Sequence, residues 1–255
     1  MIPASFSYHK ANSIAEALGM LQQHGSEAKL LAGGHSLIPA MKLRLNQPGT
    51  LIDIRHITEL KGISVSGNHL VIGGGVTHHQ IATDALVKSN LPLLAEAAEW
   101  IGDVQVRNMG TLGGSLAHAD PAADWPAVMI ACNASIQMQS ASGTREVSAD
   151  DFFTGFFETA LQDGEIITAI KLPIPGSGSA SSYKKFMQPA SRYAIVGCAV
   201  LLNVQNGVCQ SASIAMTGVS EFAYREKAME NALTGKALNA ENIKAAASLA
   251  GEGVT

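Results

Sequence analysis

Residues Leu30 to Leu45, LLAGGHSLIPAMKLRL, decide the architecture. Lys29 to Ala32 is a short apolar strand that runs straight into Gly33 and Gly34, and Ser36 to Leu45 continues at helical spacing. Paired glycines at a strand-to-helix junction let the backbone come close to an anion. The N–H groups of the helix start then face it with the positive end of the helix dipole. That geometry suits a pyrophosphate. A second stretch, Arg107 to Ser115 (RNMGTLGGS), repeats the paired glycines with hydroxyl donors on either side, so two loops could grip a diphosphate from opposite sides. Neither loop carries G-x-x-x-x-G-K-[ST], and no G-x-G-x-x-G follows a strand, which argues against P-loop and Rossmann folds. Taken singly, each Gly-Gly also reads as a tight turn; the pair carries the argument.

Outward from the first loop, Ser13 with Glu16 forms a capping-box pattern. Ile14, Leu18 and Leu21 share one helical face, Gly25 stops the helix, and Thr50 to Ile54 reads as a second buried strand. A second unit opens on the strand His69 to Ile72, meets Gly73, Gly74 and Gly75, and enters a helix near His78. Pro92 starts another helix, with Leu93, Leu94, Ala97, Ala98 and Ile101 at helical spacing. Gly110 to Asp124 holds too many glycines, alanines and aspartates for either element and reads as a long loop. Beyond it, Ala127 to Ala131 is apolar, Ser135 to Gln139 alternates as a strand, and Ser142-Gly143 is a hairpin turn. Gly176 to Ser182 (GSGSASS), after Pro173 and Pro175, is the linker-like stretch. Placing the boundary there divides the chain into 1–176, with subdomains 1–57 and 58–176, and 177–255. The last unit reads as strands Ala194 to Val204 and Val208 to Met216 joined at Asn206-Gly207, then helices near Glu221 to Leu233 and Ala240 to Ala250.

The 255 residues are 47% apolar and 15% charged, against a usual charged share of about 25%. Mean hydropathy is +0.16. The surplus apolar surface is expected to face a partner or a buried cofactor. Net charge is −4 with scattered Lys and Arg, so the basic stripe of a nucleic-acid-binding protein is missing. Cys132, Cys198 and Cys209 are too few and too far apart for a disulfide framework or a metal-ligand set. No apolar run reaches the roughly 18 to 20 residues of a membrane span. The opening MIPASFSYHK lacks a charged start followed by an apolar stretch, so a cytoplasmic protein is expected.

Three further groups carry chemistry. His118, Asp120 and Asp124 could hold a divalent metal and activate water, yet Asp124 before Trp125-Pro126 also reads as a helix N-cap. His78-His79 reads as a solvated helix start. Lys184, Lys185, Arg192 and Tyr193 are either a charged strand edge or a cover for a flat heterocycle.

LLAGGHSLIPAMKLRL and VRNMGTLGGSLAHADPAADWPA (Val106 to Ala127) closely resemble the two flavin-binding signatures of the medium, FAD-binding subunit of molybdenum hydroxylases. VIGGGVTHHQIA, LPLLAEAAEWIG and FFTGFFETALQDGEIITAIKLPIP resemble that family too. The resemblance implies an α+β fold: a two-part FAD-binding domain of the vanillyl-alcohol-oxidase (PCMH) type, then a smaller α/β C-terminal domain. It also implies a cofactor set. Ala32, Gly33, Gly34, His35, Ser36 and Leu37, with Gly110, Thr111, Gly114 and Ser115, would hold the FAD pyrophosphate. Lys29 would lie beside the first loop, and Asp124 would meet a sugar or ribityl hydroxyl. Ala117, His118, Ile167, Lys185 and Tyr193 would line the rest of the dinucleotide. No catalytic side chain and no metal ligand are implied in this chain. The [2Fe–2S] clusters would sit in a small partner subunit and the molybdopterin cofactor in a large one, in a dimer of heterotrimers. Members usually continue past a GEGVT-like stretch with a further helix; the chain stops at Thr255, so its smaller domain is expected to lack that helix. A self-contained NADPH-dependent flavin reductase and a metal-dependent hydrolase stand as the alternatives.

Overall fold

The computed structural model describes residues 1–251 and 254. Glu252, Gly253 and Thr255, in the closing GEGVT stretch, lie outside the described residues.

The N-terminal unit is β1 (Ser7–Lys10), α1 (Ile14–His24), β2 (Ala28–Leu31), α2 (Leu37–Lys42) and β3 (Thr50–Asp53), its strands parallel in the order β1-β3-β2. The Ser13 hydroxyl accepts the Glu16 N–H at 3.1 Å, and Gly25 closes α1 with φ +53°. Ala17 and Leu18 from α1 pack on Ile52 and Ile54 with Ile57, Leu60 and Ile166, forming a small core of its own.

The second unit runs β4 (Ile63–Ser66), β5 (His69–Gly73), α3 (His78–Thr83), α4 (Ala85–Asn90), α5 (Pro92–Trp100), α6 (Val104–Met109), α7 (Leu112–His118) and α8 (Asp124–Ala131). It continues through β6 (Ser135–Ser140), β7 (Gly143–Ser148), α9 (Ala149–Phe152), the short ribbon β8 (Phe153–Gly155) with β9 (Glu158–Thr159), and β10 (Ile166–Pro173). Its sheet is antiparallel in the order β4-β5-β10-β6-β7.

The third unit is an antiparallel sheet, β11 (Ser179–Met187), β12 (Ala194–Gln205), β13 (Val208–Thr217) and β14 (Tyr224–Arg225), with helices α10 (Lys227–Leu233) and α11 (Ala240–Ala247). Asn206 and Gly207 have φ +51° and +75°, the two left-handed positions that a tight two-residue hairpin demands.

Helix α8 shows how the last two units join. All of its residues are buried, with no polar face, because α5 packs on one side and strands β12 and β13 on another. Trp125, Tyr183, Ala199 and Ala215 therefore share one core with Ile72, Ile136 and Ile170. Arg225 adds a polar tie: it donates to Asp150 at 2.7 and 2.8 Å, to the Ile130 carbonyl at 2.7 Å and to Ser213 at 2.6 Å.

Two local expectations are corrected. Gly110 to Asp124 is not all loop, since α7 occupies Leu112–His118. Its glycine content reflects packing rather than helix breaking: a Cβ at Gly113 would come within 2.7 Å of the Gly74 carbonyl oxygen. The first C-terminal helix starts at Lys227, not Glu221, because Tyr224 and Arg225 are drawn into pairing with Met216 and Ala215.

Candidate functional site

All three units meet at a cavity of about 900 Å³, at the upper end of the range for small-molecule and cofactor sites. Every residue that the resemblance marks for cofactor binding lines it except Lys185. Lys29, Ala32, Gly33, Gly34, His35, Ser36 and Leu37 come from the first unit. Gly110, Thr111, Gly114, Ser115, Ala117, His118, Asp124 and Ile167 come from the second, and Tyr193 from the third.

The two glycine loops touch. A Cβ on Gly33 would lie 2.7 Å from the Gly110 Cα and closer still to the Met109 carbonyl oxygen, so only glycine permits this approach. Gly34 sits at φ +74°, a conformation that costs other residues energy. The loops differ in what they offer. Among the described residues, no protein acceptor takes the N–H groups of Gly33 to Leu37, and Ser36 makes no side-chain cap. The first loop therefore presents backbone donors to the cavity. In the second, Leu112 N–H donates to Val76 O and Gly113 N–H to Gly74 O, each at 2.9 Å, while Gly114 N–H donates to the Thr111 hydroxyl at 3.1 Å. That helix start is spent on the protein, and its loop contributes shape and the Ser115 hydroxyl. The two loops thus flank the cavity with different chemistry, open N–H groups on one side and a hydroxyl on the other.

Arg192 lines the cavity from the loop between β11 and β12, held at φ +62°. Its Nε is buried and, among the described residues, has no hydrogen-bond partner. A buried guanidinium nitrogen without an acceptor is costly unless a ligand supplies one, and an anion suits it best. A half-buried guanidinium with an unpaired Nε, beside open backbone donors and a glycine floor, fits a dinucleotide diphosphate.

Lys185 is the departure from the resemblance. Its side chain is 0% exposed, and its Nζ donates to Asp124 Oδ2 at 2.9 Å and to the Trp100 carbonyl at 3.1 Å. The Tyr183 hydroxyl donates to the other Asp124 oxygen. Asp124 thus lines the cavity with both oxygens already engaged, and it is the first residue of α8 rather than its N-cap, which is Ala123. Burial raises the Asp124 pKa, with Lys185 and Tyr183 pulling the other way. The triad joins the edge strand β11 to α8. Lys184 is a true strand-edge residue, paired at the surface with Glu96 at 2.9 Å.

The hydrolase alternative fails on geometry. The His118 ring packs against Phe157, centroids 5.1 Å apart; an Asp120 oxygen accepts the Ala122 N–H at 2.9 Å; and Asp124 is taken. Among the described residues, no three His, Cys, Asp or Glu side chains are placed to hold a metal.

His78 overturns another expectation. Far from solvated, it is buried, lines the cavity, and accepts the Trp125 indole N–H on Nδ1 at 3.0 Å. Burial, with His35 and Arg107 nearby, depresses its pKa to about 3. An unfolded histidine takes up a proton near its ordinary 6.5 and the folded one does not. His78 therefore destabilises the fold progressively as pH falls from 6.5 toward 3, by about 1.4 kcal/mol per unit. Melts of the wild type and of His78→Gln across that window should show a shallower acid slope for the variant; equal slopes would contradict the neutral burial. Sequence inspection missed His78, Gly74, Phe157 and Leu161. For His78, a tryptophan 47 positions away is the only clue.

The family described as the FAD binding domain in molybdopterin dehydrogenase matches residues 4–175, and the CO dehydrogenase flavoprotein C-terminal domain matches 181–255. The carbon monoxide dehydrogenase medium chain of Hydrogenophaga pseudoflava is 43% identical over 98% of this chain and 87% of its own length. The glyceraldehyde dehydrogenase medium chain of Sulfolobus acidocaldarius is 40% identical over 97% of this chain and 88% of its own. The solved carbon monoxide dehydrogenase from Hydrogenophaga pseudoflava, lacking the Mo-pyranopterin moiety, superposes with TM-score 0.97 at 44% identity, covering 100% of this chain and 89% of that one. Quinoline 2-oxidoreductase from Pseudomonas putida 86 superposes with TM-score 0.93 at 36% identity, covering 99% and 88%.

Proposed function

This chain belongs to the family of FAD-binding medium subunits of molybdopterin dehydrogenases, the flavoprotein subunit of CO dehydrogenase-type oxidoreductases, and from that premise we propose that it is the electron outlet of a heterotrimeric molybdenum hydroxylase. In this reading a large molybdopterin subunit oxidises the substrate and a small subunit relays electrons through [2Fe–2S] clusters. This chain passes them to an external acceptor. FAD supplies the redox chemistry when bound, since a flavin can take electrons singly and give them up singly or in pairs.

The chain's own residues bind and shield. The open N–H groups of Gly33 to Leu37 and the Arg192 guanidinium neutralise the diphosphate, Gly114 and Ser115 shape its other side, and Ile167 and Tyr193 cover the remaining length. Within the cavity, the absence of a metal cluster among the described residues and the engagement of Asp124 leave a binding site rather than a hydrolytic one. The observation that carries the reading is that single cavity, built jointly by three units, with unmatched donors along one wall.

Partner faces have candidates in the surface. Phe186 is 67% exposed, and Val104 and Phe156 are each 62% exposed, which accounts for part of the apolar surplus if small and large subunits cover them. The relatives' names span carbon monoxide, glyceraldehyde, caffeine and nicotine, so substrate choice is assigned to another subunit. A dimer of heterotrimers in the cytoplasm completes the proposal. A self-contained NADPH-dependent reductase has no support, as the relatives compared above are medium chains.

The test is co-expression with the small and large subunits, followed by pulsed photoreduction of the iron–sulfur clusters. Three chains should co-purify, and the flavin band should bleach as the clusters reoxidise. Clusters that stay reduced beside an unchanged flavin band would contradict the relay.

A further inference from the structure

His78 begins α3 directly after Thr77, the N-cap, and its backbone N–H donates to the Gly110 carbonyl at 3.0 Å. This ties the histidine to the second glycine loop at the point where that loop meets Gly33. A Cβ on Gly110 would fall 2.6 Å from the His78 Nε2, so the glycine there makes room for the imidazole. The ring orientation is dictated by Trp125, fully buried on α8, whose indole N–H donates to Nδ1 at 3.0 Å.

An indole N–H can only donate. Nδ1 must therefore be bare, and a neutral imidazole then carries its proton on Nε2. Among the described residues that Nε2 has no hydrogen-bond acceptor, although the ring lines the cavity. The arrangement is a single N–H donor with a fixed tautomer and no charge, beside the glycine junction. Unlike the Arg192 Nε, this nitrogen is not sealed from solvent, so an acceptor in the cavity can reach it.

We infer that His78 is a cofactor-binding residue whose Nε2–H donates to an acceptor oxygen of the bound dinucleotide, with Trp125 as the positioning residue that sets its tautomer. The inference rests on FAD occupying the cavity. Within it, His78 supplies directional recognition without adding positive charge, whereas Arg192 supplies charge. The two groups complement each other, because burial above all, with His35 and Arg107 nearby, keeps the imidazole neutral.

The assembled complex, stripped of flavin and titrated with FAD by fluorescence quenching, tests the assignment in three variants. The wild type should bind. His78→Phe, which keeps a ring and loses the donor, should weaken FAD binding by about tenfold or more, while His78→Gln, which returns a donor near Nε2, should stay within about threefold. Melting temperatures of the stripped complexes separate loss of the donor from loss of the fold. Histidine 15N spectra should place the proton on Nε2 and show that resonance moving when FAD is added.

Equal FAD affinity for wild type and His78→Phe would overturn the inference, as would His78→Gln falling as far as His78→Phe at an unchanged melting temperature. A proton found on Nδ1 would overturn the role of Trp125. A wild-type complex that takes up no FAD would overturn the function itself, a result distinct from any difference between variants.

Discussion

Replacing Gly33 with valine should strip the flavin from the assembled complex. The new side chain would meet the Gly110 Cα at 2.7 Å and the Met109 carbonyl more closely still, and neither is the far end of a flexible side chain. The loops would have to part, and the open N–H groups that follow Gly33 would move with them. Losing several charge-assisted hydrogen bonds at roughly 1.5 kcal/mol or more each corresponds to a loss of affinity beyond about a hundredfold. Gly19→Ala is the control: nothing lies within 4 Å of the added methyl on α1, so flavin content should hold while the helix gains up to about 1 kcal/mol. The ratio of flavin to protein after desalting, read beside thermal melts, checks both. A Gly33→Val complex with wild-type flavin content would remove the loop junction from the binding site.

Lys185→Met should be the most destabilising single change at the junction of the second and third units. The side chains of Lys185 and Asp124 are 0% and 6% exposed, and their pairing distance is 2.9 Å. Removing the cation leaves a buried carboxylate with only the Tyr183 hydroxyl, a situation that costs roughly 3 to 5 kcal/mol. Adding Asp124→Asn should restore much of the loss by removing the orphaned charge. The pH dependence has a defined sign. With Lys185 gone, Asp124 loses a partner that favours its charged form, so its folded pKa rises further above the ordinary 3.8. A raised carboxyl is stabilising below the unfolded value and loses that contribution as pH climbs through the folded one. The deficit of Lys185→Met against wild type should therefore be small near pH 4 and widen toward neutrality, as differential melts would show. A constant deficit would mean that packing, not charge, holds the two units together.

The elements legible in the sequence are those whose causes lie within a few residues. Ser13 with Glu16 announces α1, Asn206-Gly207 announces the β12–β13 hairpin, and the strand-to-glycine step at Gly33 announces the first loop. The glycine pairs also located the two loops that meet in the cavity wall, because close backbone approach needs glycine wherever it occurs. Helix α7 was hidden by the same logic: Gly113 reads as a helix breaker until Gly74 is seen pressed against it. The Lys185 ion pair was not legible because its partner, Asp124, lies 61 residues earlier in the chain, and a cation after a linker suggests a ligand as readily as an ion pair. His78 failed for the same reason, its burial depending on Trp125 from a different helix. Arg192 was noticed as a cation, but its orphaned Nε is visible only in three dimensions.

The central claim is that one FAD occupies the cavity between the three units of this chain, and calorimetric titration of the flavin-stripped assembled complex with FAD tests it most directly. The account predicts one binding site per copy of this chain, lost in Gly33→Val. Saturation with no site on this chain, or a site that survives Gly33→Val undiminished, would contradict it.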